Sequence, residues 1–162
     1  MKKFVPFVKI YEMDTIIRVT KEFSFEMAHA LWNYDGPCKN IHGHSYRLFV
    51  TVKGIALNNP GHPKHGMLID FGELKKIVNR EIVNQLDHAL VVHKDAPHQM
   101  LNNIDQMFEK YFVFDFQPTC ENMVVDIANK IKKQLPGHVT LHSVRLYETA
   151  TSYAEWFAED NN

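Results

Sequence analysis

Two histidines two positions apart, His42 and His44, follow Cys38 in the run Cys-Lys-Asn-Ile-His-Gly-His. On an extended strand the side chains at i and i+2 point the same way, so both imidazoles can meet one ion. Gly43 between them lets a neighbouring backbone approach closely. A third histidine, His29, ends an alternating stretch from Ile16 in which Ile17, Val19, Phe23, Phe25, Met27 and His29 share one side. If that stretch pairs with His42 to Ile55 as a long antiparallel hairpin, with residues 30–41 as its loop, the three imidazoles converge near the loop end. Three histidines form an open catalytic zinc set with a fourth position free for water or substrate. Adding Cys38 gives a closed Cys-His₃ structural site. Half-buried strand histidines bonded to backbone would need no ion. The loop position of Cys38 beside a dication's ligands also suits a thiol of lowered pKa that acts as base or nucleophile. Spacing leaves these readings open.

Other candidates stand further along the chain. Asp87-His88 closes a helical stretch; the carboxylate can orient the imidazole for proton transfer, or the histidine can simply complement a helix C-terminus. Glu148 ends an alternating segment on the face of Val144 and Leu146, and a carboxylate there needs a partner, either an arginine or a ligand with a row of N–H donors. Glu121 falls in a first helical turn, where dipole stabilisation is the simple account. Cys120 reads as a small packing residue. The histidines at 62, 65, 93, 98, 138 and 142 lie in loops, irregular segments or mid-strand and suggest no chemistry.

The elements that must position these residues follow from periodicity. Lys21 interrupts the apolar side of the first strand, so a bulge or an exposed middle is expected there. On the second strand His42, His44, Leu48, Val50 and Val52 share a face. Asp70-Phe-Gly-Glu73 resembles a capping box. It opens a helix whose stripe is Leu74, Ile77, Val78, Ile82 and Leu86. A helix over Pro97 to Tyr111 and a short strand over Tyr111 to Phe116 are expected next. Pro118-Thr119 opens another helix with the stripe Val124, Ile127, Ile131 and Leu135, which Pro136-Gly137 stops. Val139 to Glu148 and Tyr153 to Phe157 read as closing strands. The order β-β-α-α-β-β predicts an α+β fold, an antiparallel sheet with helices on one face.

Composition restricts the partners. The 162 residues carry 18 Lys+Arg and 19 Asp+Glu, a formal charge of -1, and 45% hydrophobic residues. That balance supports one packed domain over residues 1–162 and argues against a nucleic-acid grip. Ten histidines put much of the latent charge near neutral pH. Apolar runs reach only four residues, as in Ala89 to Val92, far short of the ~20 that span a bilayer. Two cysteines and the lack of a signal-peptide pattern point to a soluble, cytoplasmic protein with reduced thiols.

Taken together, Phe23-Ser-Phe-Glu-Met-Ala-His29, Cys38-xxx-His42-Gly-His44, Gly66-Met-Leu-Ile-Asp70-Phe71, Leu86-Asp87-His88, Pro118-Thr119-Cys-Glu121-Asn122 and Glu148-Thr149 resemble the 6-pyruvoyl-tetrahydropterin synthase / 6-carboxytetrahydropterin synthase family. Any one is weak; six in the family's order are specific. The resemblance implies the tunnelling fold (T-fold), in which subunit sheets join into an oligomeric barrel. Two trimers usually stack into a hexamer, with active sites at subunit interfaces. It implies that His29, His42 and His44 bind Zn2+ and that Cys38 is the catalytic thiol. Asp87 and His88 would complete the proton-transfer set. Glu148 would anchor the pterin, with Thr119 and Glu121 lining its pocket. The implied substrate is 7,8-dihydroneopterin triphosphate. The short spacing from Cys38 to His42 resembles the queuosine-pathway type, which yields 6-carboxy-5,6,7,8-tetrahydropterin, acetaldehyde and triphosphate. The alternatives are the biopterin-pathway type, which yields 6-pyruvoyl-tetrahydropterin, and a non-catalytic zinc-stabilised pterin-binding scaffold. Residues 1–14 read as an N-terminal extension and residues 93–117 as an insertion relative to the family pattern.

Overall fold

Strand β1 (Ile16–His29) pairs antiparallel with β2 (His42–Ile55) through the full length of both, from Ile16 opposite Ile55 to His29 opposite His42. The expected hairpin is therefore present with residues 30–41 as its loop. The computed structural model describes residues 15–161; the expected extension at 1–14 lies outside the described residues. Alternation sets the faces. Phe23, Phe25, Met27 and His29 are buried while Glu22, Ser24 and Glu26 are exposed. On β2, Tyr46, Leu48, Val50 and Val52 have no exposed surface. Each such side chain contributes roughly 1.5–3 kcal/mol of transfer free energy.

Lys21 causes no bulge, because the β1–β2 register is unbroken. Its ammonium instead lies 5.9 Å from the ring centroids of both Phe23 and Phe71, so the stem covers the apolar face while the charge reaches its rim. The one register shift falls between Thr51 and Val52, where β2 meets the antiparallel β5 (Thr140–Tyr147). The antiparallel β6 (Tyr153–Phe157) follows on the far side of β5.

Two further strands make the sheet mixed where an antiparallel one was expected. β3 (Ala89–His93) runs parallel to the end of β1, Met27–His29, and β4 (Tyr111–Phe114) runs parallel to β3. The order across the sheet is β4-β3-β1-β2-β5-β6. β3 is a continuous apolar run, Ala-Leu-Val-Val, which is the pattern of a strand buried on both faces.

The helices follow their stripes with two breaks. α1 (Phe71–Val78) passes through a wider π-type segment, Asn79–Val83, into α2 (Asn84–Leu86). All five stripe residues, Leu74 to Leu86, are buried nonetheless. Asp70 caps α1 by accepting from Gly72 N at 2.6 Å, but Glu73 does not reciprocate and pairs with Lys64 at 2.7 Å. The helix expected over Pro97 to Tyr111 is two short ones, α3 (His98–Leu101) and α4 (Ile104–Met107), separated at Asn102-Asn103. α5 (Cys120–Lys132) is capped by Thr119 and packs on the main core with α1. Leu90, Val92 and Ile104 form a second cluster with Ala28, Met100, Leu101, Phe108 and Tyr111. Leu90 and Val92 alternate with Val91, which belongs to the main core. So α3 and α4 cover the sheet face opposite α1 and α5, where helices on one face only were expected. Among the described residues no helix is long and apolar enough to cross a membrane.

Leu48 is fully buried and sits between Phe23 on β1 and Leu146 on β5. Leu48→Ala is expected to destabilise the fold by roughly 2–5 kcal/mol, measured by urea denaturation.

Candidate active site

The hairpin register brings His29 and His42 opposite one another, with His44 opposite Met27. The potential ligand atoms of His29, His42 and His44 all lie within 4.8 Å of one another. His29 is 1% exposed. Its Nδ1 lies 2.7 Å from the Pro118 carbonyl, and His42 Nδ1 lies 2.8 Å from the Asn40 carbonyl. A carbonyl only accepts, so both Nδ1 atoms carry the proton and both Nε2 atoms present a lone pair. Those two Nε2 atoms are 3.1 Å apart. Two acceptors at that distance repel unless a cation lies between or beside them. His44 Nε2 is buried and has no hydrogen-bond partner. The three side chains therefore fit a metal ion, with the outer nitrogens of two of them already oriented by backbone carbonyls, as is usual for ligating histidines. Burial lowers the pKa of His29, which keeps its ring neutral and able to donate a lone pair.

Glu148 joins this cluster. Its Oε1 is 3.7 Å from His29 Nε2 and accepts from Tyr46 Oη at 3.4 Å. The Tyr46 ring stacks on Phe25 at 5.1 Å. Burial raises the Tyr46 pKa well above the ordinary phenol value, and the Glu148 carboxylate adds to that, so the hydroxyl stays protonated as a donor. Glu148 sits just past β5, at a turn closed by Glu148 N and Thr149 N donating to the Ser152 carbonyl.

Cys38 lies on the short turn Pro37–Lys39 in the hairpin loop and is half-buried. Its sulfur is not part of the three-histidine group. That arrangement favours an open three-histidine site over a closed Cys-His₃ one. Cys120 is buried, donates to the Leu146 carbonyl at 3.2 Å, and has its thiol pKa pushed up to about 11 by burial.

Asp87 and His88 form their own pair, His88 Nδ1 to Asp87 Oδ2 at 3.1 Å. Asp87 Oδ1 accepts from Glu26 N at 2.9 Å, and this bond is the main cause of its lowered pKa. His88 has a positive φ of 60° and donates its N–H to the Glu26 carbonyl at 2.6 Å. The pair lines a cleft of about 930 Å³ together with Glu26, Ala28, Ser45 and Lys110, and His44 belongs to its lining as well. Glu26, Ala28 and Ser45 alternate with Met27, His29 and His44, so their side chains leave the opposite face of the sheet. One chain thus gathers the three histidines and Glu148 but does not bring His88 into contact with them. Thr119 is occupied as the α5 cap, accepting from Asn122 N at 3.3 Å, and Glu121 is exposed in the first turn.

Tyr46 continues the series 42, 44, 48 on the buried face of β2, so strand parity is the signal that points to it. The Pro118 carbonyl and the side chain of Gln117 beside it carry no sequence signal, since only the fold brings them to the hairpin loop.

The profile of the family described as 6-pyruvoyl tetrahydropterin synthase matches residues 18–159. A Haemophilus influenzae protein named 6-carboxy-5,6,7,8-tetrahydropterin synthase is 35% identical over 143 residues, covering 87% of this chain and 99% of its own length. A Pongo abelii protein named 6-pyruvoyl tetrahydrobiopterin synthase is 33% identical over 144 residues, covering 82% and 85%. The solved structure of Caenorhabditis elegans 6-pyruvoyl tetrahydropterin synthase superposes with a TM-score of 0.64 at 23% identity, covering 91% of this chain and 99% of that one. The fold is thus the T-fold that the motifs implied.

Two outcomes follow from the geometry. The protein is expected to bind one divalent transition-metal ion per chain, lost in His44→Ala and kept in Cys38→Ala, as read by plasma mass spectrometry. Because burial lowers the pKa of His29, the unfolded chain takes up that proton first as pH falls below about 6.5. The metal-free protein should therefore lose stability on acidification, with a shallower loss in His29→Gln, measured by thermal melts from pH 7.5 to 5.5.

Proposed function

The chain belongs to the 6-pyruvoyl tetrahydropterin synthase family of pterin synthases, and from that premise we propose that it is a zinc-dependent 6-carboxy-5,6,7,8-tetrahydropterin synthase of queuosine (7-deazapurine) biosynthesis. It converts 7,8-dihydroneopterin triphosphate to 6-carboxy-5,6,7,8-tetrahydropterin, acetaldehyde and triphosphate. The observation that carries the reading is the three-histidine cluster with Cys38 nearby in the loop but outside the ligand group. His29, His42 and His44 would hold the zinc, which would supply a Lewis acid to the substrate oxygens.

The chain's own residues do the rest. Glu148 accepts from the N–H donors of the amino-pyrimidine edge, and the Tyr46 hydroxyl holds its carboxylate in place. Cys38, as thiolate, removes a proton from the substrate side chain. His88, oriented by Asp87, exchanges protons with that side chain; Asp87 is itself held by Glu26 N. Thr119 and Glu121 contribute at the pocket margin, Thr119 by fixing the start of α5.

His88 pairs with Asp87 and not with the three histidines of its own chain, and the site is completed by a neighbouring subunit. The same reading gives a cytoplasmic homohexamer, a dimer of trimers whose sheet edges pair between chains. The described residues make one T-fold domain, with residues 93–117 as an insertion.

Sequence identities of 35% and 33% to relatives bearing the two product names do not choose between the products. The three residues between Cys38 and His42 favour the carboxy product. The test is to incubate zinc-loaded protein with dihydroneopterin triphosphate. Acetaldehyde together with the carboxy-pterin is expected. Pyruvoyl-pterin without acetaldehyde would transfer the protein to the biopterin type, and no turnover would leave a zinc-stabilised scaffold. Cys38→Ala should retain zinc and lower kcat by about 10²–10⁴-fold; loss of zinc along with turnover would remove the acid–base role of the thiol.

A further inference from the structure

The hairpin loop that carries Cys38 is exposed and mostly without regular structure, yet proton abstraction needs the sulfur at a fixed place. One side chain outside the loop grips its entry. The Gln117 Oε1 accepts from Trp32 N at 3.0 Å, and its Nε2 donates to the Trp32 carbonyl. The side-chain amide thus pairs with both backbone groups of one residue, as a neighbouring strand's peptide would. The grip passes on within the loop. Leu31, adjacent to Trp32, donates its N–H to the Cys38 carbonyl at 2.9 Å.

Gln117 is itself held. Its carbonyl accepts from Asn122 Nδ2 at 3.0 Å and from Thr119 N at 2.8 Å. The next residue, Pro118, supplies the carbonyl that receives His29 Nδ1. Two consecutive residues ahead of α5 therefore tie the thiol loop and the most buried imidazole to one rigid point.

We propose that Gln117 is a positioning residue for Cys38, setting the thiol's place relative to the three histidines through Trp32 and Leu31. The proposal rests on Cys38 being the catalytic thiol. A misplacement of about 1 Å can cost 10²-fold in rate.

The test uses the full-length, zinc-loaded protein with Gln117→Ala and Gln117→Glu. The Glu variant is isosteric; it keeps an acceptor for Trp32 N–H but turns an oxygen towards the Trp32 carbonyl, so it covers the case in which the Ala variant folds poorly. Both are expected to lower kcat by about 10–100-fold with KM within about twofold and zinc content unchanged. Both should also change the rate at which iodoacetamide alkylates Cys38 by at least about threefold, with buried Cys120 unchanged as internal reference. Wild-type kcat and wild-type Cys38 alkylation in both variants would overturn the proposal, and so would zinc lost along with turnover. Cys38→Ala with retained turnover would instead remove the catalytic role of the thiol. The alkylation rates would still decide whether Gln117 positions it.

Discussion

The pairing of β1 with β2 is the constraint on which the site depends. Side chains on a strand alternate with a period of two, so a slip of one residue would carry His29 to the solvent face while Phe23, Phe25 and Met27 lost their core. The apolar series therefore enforces the register, and the register places the histidines. Tyr46, Leu48, Val50 and Val52 do the same from the other strand. The imidazoles need no separate device to face inward; they occupy the loop end of a face that hydrophobic burial has already chosen.

Burial at that end creates an electrostatic problem that the backbone resolves. The Pro118 and Asn40 carbonyls take the Nδ1 protons of His29 and His42, which leaves unshared lone pairs directed at one another. A cation relieves that conflict, and Glu148 adds negative charge beside it. On the other side of the sheet, Lys110 donates to the Asp87 carbonyl at 2.5 Å and the Asn84 carbonyl at 2.9 Å, closing the end of α2 next to His88. The segment between β3 and β4 is thus tied to a motif that its sequence gave no reason to associate with it.

What could be read from the chain divides along local and non-local lines. Period-two alternation revealed β1, β2, β5 and β6, and the same parity selected His29, His42 and His44. The stripes revealed α1 and α5. The short strand expected over Tyr111 to Phe116 is present as β4, but β3 escaped because Ala-Leu-Val-Val has no alternation, and short apolar runs do not distinguish strand from helix. The single helix expected across Asn102-Asn103 failed because asparagine competes with the helix through its own side-chain bonds; Asn103 Nδ2 donates to the Gln99 carbonyl. Family motifs named Asp87 and His88, yet nothing in the sequence shows that one chain holds them apart from the histidines.

The sequence distance between each ligand and its support differs sharply. All three histidines fall within residues 29–44, gathered by closing the single loop 30–41. The carbonyl that fixes the His29 tautomer is 89 residues away. Loop-closure entropy rises with separation, and long-range pairings form later in folding than local ones. The hairpin thus assembles the donor set as a local event, while its locking waits for α5 to dock. A hairpin that closes before α5 docks would have the three imidazoles in reach of one another before the carbonyl that makes them rigid.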